Sequence, residues 1–288
     1  MNGIEMGSPR AFVRLIRPVN CIMMGFAILV GVVISGGIGL FTSGWEILLA
    51  FVTGFTVTGS AMAINDYYDR DIDSINEPHR PIPSGAISPR EALSASLLLG
   101  LVGLTAALFT GLSNLVLAFL AWSTAIIYNT VGKGTGFPGN FLVSSCVAIP
   151  FVYGGMMAGN TQLSIGIIFA LIAFLTNMGR EVTKGIVDMM GDRALGIRTV
   201  AVSKGARFAA GVSAAFYLSA VIASVVPYIQ GVVSFWYIPF VTLTDLGLIY
   251  LSISLIRDSS RENSRNVKNH VLLLMMSGLI GFLLGNLL

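Results

Sequence analysis

Four acids fall within eight residues in Asn65-Asp66-Tyr67-Tyr68-Asp69-Arg70-Asp71-Ile72-Asp73, in a chain where only 11% of residues are charged. On a helix, Asn65, Asp69 and Asp73 stack on one face at four-residue steps, with Asp66 close beside them. Like charges at that spacing repel, and folding alone gives no reason for them. A face of oxygen ligands aimed at one point is what a hard divalent cation needs. Asp71 points off that face and suits a neighbouring arginine instead. The plain alternative is a solvated acidic helix end, and a second acidic stretch argues against it.

That stretch is Arg180-Glu181-Val182-Thr183-Lys184-Gly185-Ile186-Val187-Asp188-Met189-Met190-Gly191-Asp192. Asp188 and Asp192 repeat the four-residue step. Lys184 lies one step earlier and Glu181 three residues before it, so all four can share a helix face. Aligning Asp69 with Asp188 also aligns Asp73 with Asp192. Each motif runs into a comparable tail, residues 80–85 and 198–205, which reads as an internal duplication.

The elements that must carry these residues are membrane spans. Hydrophobic residues make up 55% of the 288 residues, and the mean hydropathy is +0.82. A soluble domain carries about a quarter charged residues. The expected fold is therefore all-α, a polytopic membrane bundle of about nine spans around a central cavity. The spans fall near 21–41, 45–64, 92–111, 114–131, 140–158, 162–180, 207–227, 234–256 and 271–288. The first is too long for a signal-peptide core and lacks a clear small-residue cleavage site. Residues 1–20 read as an amphipathic arm on the membrane surface, with Phe12, Val13, Leu15 and Ile16 against Arg10, Arg14 and Arg17. Ser88-Pro89-Arg90-Glu91 is a capping box that starts the third span. Cys21 and Cys146 allow no disulfide framework, and His79 and His270 form no zinc-spaced pair.

A basic balance in such a chain speaks of topology, not of nucleic acid. With nine alternating spans, all 17 Lys and Arg residues fall on the N-terminal side or at its edges. The positive-inside rule then places the N-terminus and both acidic motifs in the cytoplasm and the C-terminus outside. Four spans separate the motifs, so the single domain 1–288 holds a parallel pseudo-repeat, about 21–131 and 140–256, with a ninth helix at 271–288.

Two carboxylate faces at the cytoplasmic end of an apolar bundle suit two or more Mg²⁺ ions holding a diphosphate. The metal and diphosphate ligands are Asn65, Asp66, Asp69, Asp73, Asp188 and Asp192, with the five aspartates carrying catalysis. Arg17, Arg70, Arg80, Lys133 and Lys184 are candidate cations for the leaving group. An apolar cavity suits an isoprenoid tail, and Tyr67, Tyr68 or Tyr128 can face an allylic carbocation.

Asn65-Asp66-x-x-Asp69-x-x-x-Asp73 with Asp188-x-x-x-Asp192 resembles the paired motifs of the UbiA superfamily of intramembrane prenyltransferases. Leu15-Ile16-Arg17-Pro18-Val19-Asn20 resembles the family's opening motif, and Tyr128-Asn129-x-x-x-Lys133 its tyrosine–lysine element. The resemblance covers nearly the whole chain. It implies nine spans, Mg²⁺ dependence, a polyprenyl diphosphate donor and a place for Tyr128 at the diphosphate. Residues 76–88 resemble both the chlorophyll synthases and the archaeal ether-lipid branch. In the second motif Glu181 and Lys184 are similar to the ether-lipid branch, whereas chlorophyll synthases tend to begin it with Asn-Asp. Asn129 departs from the branch's pattern. The resemblance implies transfer of a geranylgeranyl group to the hydroxyl of geranylgeranylglyceryl phosphate, a lipid-phosphate acceptor. The competing acceptors within the family are chlorophyllide and aromatic quinone precursors. Glu181, Arg193 and Arg198, with Arg14, are candidates for holding the acceptor and its phosphate. No protein partner is expected.

Asp245 is costly in the middle of the eighth span, and suits either a polar partner inside the bundle or the acceptor entrance. Gly132-Lys133-Gly134-Thr135-Gly136 lacks the Walker spacing and reads as a flexible connection. A transporter would put its acids on broken helices at the midplane, and a structural membrane protein needs no ligand-spaced acids.

Overall fold

The computed structural model describes residues 8–36, 44–158, 163–194 and 196–287, and every regular element among them is helical. Residues 1–7 of the arm, 37–41 of the expected first span, 162 of the sixth, Leu195 in the second motif's tail and Leu288 lie outside the described residues. The described residues divide between two compact units that part at Thr130, with α2 passing into the second from Val30.

In the first unit α1 (Pro9–Ile16) and α2 (Pro18–Ile34) meet at a bend of 53°. Pro18 has no N–H to donate and fits the start of a helix. Arg17 takes a left-handed φ of 52° between them. The described part of the arm packs one face on protein. Ala11 and Leu15 are buried against Ala63 and the 82–92 segment, while Val13 alone of its large apolar side chains is mostly exposed. Amphipathicity requires only that one face be covered, and here protein covers it.

Next come α3 (Gly44–Asn76), α4 (Pro89–Thr110) and α5 (Leu112–Thr130). Ser88 Oγ accepts from the Glu91 N–H while Glu91 Oε2 accepts from the Ser88 N–H, so both halves of the capping box form. Ser60 on α3 and Ser96 on α4 are buried and hydrogen-bonded to each other at 3.0 Å. Gly100 admits the Trp122 indole where a side chain would collide, and Trp122 Nε1 donates to Ser60 Oγ at 2.8 Å. Small residues and buried hydroxyls of this kind hold membrane helices together where lipid supplies no hydrophobic drive.

The second unit continues with a 3₁₀ turn (Gly132–Thr135), α6 (Phe137–Met157), α7 (Leu163–Val187), α8 (Met189–Ala194), α9 (Val200–Lys204), α10 (Ala206–Ser224), α11 (Val226–Ile229), α12 (Tyr237–Arg257) and α13 (Arg261–Leu287). The glycine-rich segment is thus an ordered turn rather than a loose connection. Thr135 Oγ1 donates to the Gly132 carbonyl, and Gly132 is buried. Helix α7 is the buried member of the unit and packs on α6, α10 and α13. Gly179 lets the Tyr217 ring of α10 lie on α7, and the Tyr217 hydroxyl meets Thr183 Oγ1 at 2.9 Å. That contact sets the end of α7 that carries the second motif.

Eight described helices are long and apolar enough to cross a membrane, or nine when α1 and α2 count as one bent span. Leu98, Phe109, Leu112, Ile222, Ile229 and Tyr250 are all exposed, as lipid-facing side chains are. The chain is an integral membrane protein.

Candidate functional site

The helical ladder of α3 does not stop where its apolar stretch ends. It runs on through the first motif to Asn76, twelve residues past the expected boundary at 64. Asp66, Asp69 and Asp73 are only 1%, 8% and 5% exposed, so three carboxylates share one nearly dry helix face. Burial at that density requires positive partners. Arg17 Nη2, delivered by the α1–α2 bend, donates to Asp66 Oδ1 at 2.5 Å. Arg80, in the turn after α3, donates to Asp73 Oδ2 at 2.5 Å and to Asp66 Oδ1 at 3.4 Å. Asp71 stands apart: its side chain is 90% exposed, 3.8 Å from Arg70. Arg70 stays on its own turn, donating to the Tyr67 carbonyl with its guanidinium 4.9 Å from the Tyr67 ring. Of the expected cations of this unit, Arg17 and Arg80 reach the acid face.

Asn65 opens the same face. Its Nδ2 donates to Asn129 Oδ1 at 2.7 Å, and Asn129 Nδ2 donates to the Ala125 carbonyl at 2.8 Å. The backbone carbonyl accepts only, so it fixes which end of Asn129 is the amide, and Asn129 in turn fixes Asn65. The Asn65 carbonyl oxygen is left for another partner. Asn129, which departs from the family pattern in sequence, therefore acts on a candidate ligand, in the turn that also carries Tyr128.

The second motif sits where α7 gives way to α8. The backbone holds helical bonds across the junction, from the Asp188 N–H to the Lys184 carbonyl at 3.0 Å and from the Asp192 N–H to the Asp188 carbonyl at 2.9 Å. The four residues expected on one face have unequal surroundings. Glu181 is buried between Arg180 and Lys184, each at 3.4 Å, with Lys133 in electrostatic reach, whereas Asp188 is exposed. Burial and then the Asp188 charge push the Asp192 carboxyl up to about 6, with Lys184 and Lys133 opposing. The two carboxylates stand close enough for the charge of one to oppose that of the other, as in an aspartate pair that serves a cation. Arg193 and Arg198 are exposed on the segment beyond. Far along the unit, Asp245 accepts from Ser224 Oγ at 2.7 Å, inside the bundle.

Among the described residues, no three acids converge on a point where they alone would hold a metal ion. In the first unit, oxygens of Asp66 and Asp73 pair with Arg17 and Arg80. The donor set, all oxygen and all on one face, still fits a hard cation that draws its remaining ligands from a phosphate and water.

The model of the UbiA prenyltransferase family matches residues 23–279. The chain belongs to the UbiA prenyltransferase family. Among its relatives is a digeranylgeranylglyceryl phosphate synthase of Korarchaeum cryptofilum, 36% identical over 285 residues, 97% of this chain and 98% of the relative. A solved structure described as a digeranylgeranylglyceryl phosphate synthase in membranes superposes with a TM-score of 0.77 at 28% identity, covering 96% of this chain and 98% of that one. A UbiA homolog from Archaeoglobus fulgidus bound to GPP and Mg²⁺ shares the fold, with a TM-score of 0.64 at 18% identity over 94% of this chain and 99% of that one. The expected all-α prenyltransferase architecture is the one found.

Proposed function

We propose that this chain transfers a geranylgeranyl group from geranylgeranyl diphosphate to the free hydroxyl of geranylgeranylglyceryl phosphate, releasing diphosphate and forming a second ether bond. The observation that carries it is the buried Asp66–Asp69–Asp73 face with Arg17 and Arg80 drawn onto it. The names of the relatives support the glyceryl phosphate acceptor. The fold relative that holds GPP and Mg²⁺ supports the metal.

Asn65, Asp66, Asp69 and Asp73 would hold Mg²⁺ in one unit, and Asp188 and Asp192 in the other. Bound Mg²⁺ neutralises charge that grows on the departing diphosphate. Arg80 bridges Asp66 and Asp73 and offsets the repulsion between them. Lys133 and Lys184 add charge beside Asp192 and stabilise the leaving diphosphate. The allylic C–O bond breaks with its electron pair going to diphosphate, the acceptor oxygen bonds to carbon, and its proton passes to the diphosphate. A dedicated base is not required, because the forming bond acidifies the hydroxyl. The N-terminus and both motifs face the cytoplasm, and the C-terminus faces out, on the one-sided placement of the basic residues.

Asp69→Asn and Asp188→Asn each should lower turnover on the order of a hundredfold, since each removes a charge that serves the leaving group. Asp71→Asn, off the face, should stay within a few-fold. Near-normal turnover in either of the first two, at wild-type membrane insertion, would contradict the reading.

A further inference from the structure

The basic end of the second unit holds more cations than the diphosphate chemistry uses. Arg261 Nε donates to the Val187 carbonyl at 3.1 Å. That bond sets the first residue of α13 beside the last residue of α7, so the two packed helices run antiparallel from a common level. Seven residues along each, about 10 Å in, lie Arg180 and Lys268. Arg265, four residues along α13, is level with Thr183 and Lys184. Electrostatics agrees with the register: Lys268 is within reach of Arg180, Lys184 and Arg265, and of one acid, Asp188.

Lys268 is half-buried, and Arg180 Nε is buried with no hydrogen-bond partner among the described residues. Glu181 draws Arg180 and Lys184 only to 3.4 Å. With Lys133, five cations thus face three carboxylates, Glu181, Asp188 and Asp192, in partly dry surroundings, where an unneutralised charge is costly. Interfacial snorkelling explains exposed arginines such as Arg257 and Arg261. It does not explain a lysine laid against the charged face of α7, or an arginine nitrogen left buried and unpaired.

An anion with several acceptor oxygens satisfies all of these at once. The diphosphate is served by the aspartate steps through a metal, whereas this cluster offers direct Arg and Lys donors, which suit a phosphomonoester of charge near −2. We propose that Arg180, Arg265 and Lys268 hold the phosphate of the glyceryl phosphate acceptor, an assignment that rests on the function given above. Sequence alone pointed to Arg193, Arg198 or Arg14 for this task; the α7–α13 register brings other residues together.

The test compares geranylgeranylglyceryl phosphate with the phosphate-free alcohol geranylgeranylglycerol, using the purified full-length chain, geranylgeranyl diphosphate and Mg²⁺. Lys268→Ala should raise the acceptor KM by on the order of tenfold, the worth of one charge-assisted hydrogen bond. It should shrink the phosphate-over-alcohol preference in kcat/KM by the same factor, with the donor KM within about twofold of wild type. Lys268→Arg should recover most of the preference. Should Lys268→Ala fail to insert, Arg265→Ala, at an exposed position, is read in its place. An undiminished preference overturns the assignment. A rise in donor KM, alone or alongside the acceptor's, also overturns it, by giving the cluster to the diphosphate. Wild-type enzyme that prenylates another acceptor and neither of these fails at the level of the function itself, and the assignment falls with it.

Discussion

Asp66 and Asp73 are buried carboxylates that share one arginine, and the neutral Asn65 completes their face through a partner on another helix. Groups that orient a ligand typically cost ten- to a hundredfold in metal affinity when removed. Asn129→Ala should therefore raise the Mg²⁺ concentration for half-maximal turnover by about tenfold or more. Asn129→Asp keeps the accepting oxygen and should be milder. A Mg²⁺ titration of both variants decides it, and an unchanged midpoint in Asn129→Ala would separate this pair from the metal. The aspartates were legible in sequence because the helical period alone maps four-residue steps onto one face. Arg17 and Arg80 were legible as candidates, since few charges exist to choose from. Asn129 was legible only as a departure from a pattern, because its partner Asn65 lies 64 positions away and no local signal links them.

At the scale of the elements, hydropathy found the spans and misplaced their ends. It reports where a helix is apolar, while the ladder of α3 continues through polar residues to Asn76 and α7 reaches Val187. The four-residue steps of the second motif say nothing of burial, and Glu181 is buried while Asp188, two turns on and at the end of α7, is exposed. The likeness of Lys268 to an ordinary basic anchor hid its position, which depends on how α13 is registered on α7. The sidedness of these elements is testable on one of them. Helix α12 separates the segment around Gln230 from that around Glu262, both exposed. With Cys21 and Cys146 replaced, Gln230→Cys should label from outside sealed, right-side-out cells and Glu262→Cys only after the membrane is opened. Labelling of both from one side would contradict the topology.

At the scale of the whole molecule, a family fold, a buried first aspartate motif and a second, more open one serve one transfer reaction. Membership in the UbiA family is settled by a match over residues 23–279. Glu181 and Lys184 resemble the ether-lipid branch, and the proposed cluster of Arg180, Arg265 and Lys268 would serve the same glyceryl phosphate acceptor. The most direct measurement gives the purified chain radiolabelled geranylgeranyl diphosphate and Mg²⁺ with geranylgeranylglyceryl phosphate, chlorophyllide or 4-hydroxybenzoate in turn. The account predicts label in the doubly alkylated glyceryl phosphate, dependent on Mg²⁺. Label in chlorophyllide or the aromatic acid, and none in the glyceryl phosphate, would contradict it.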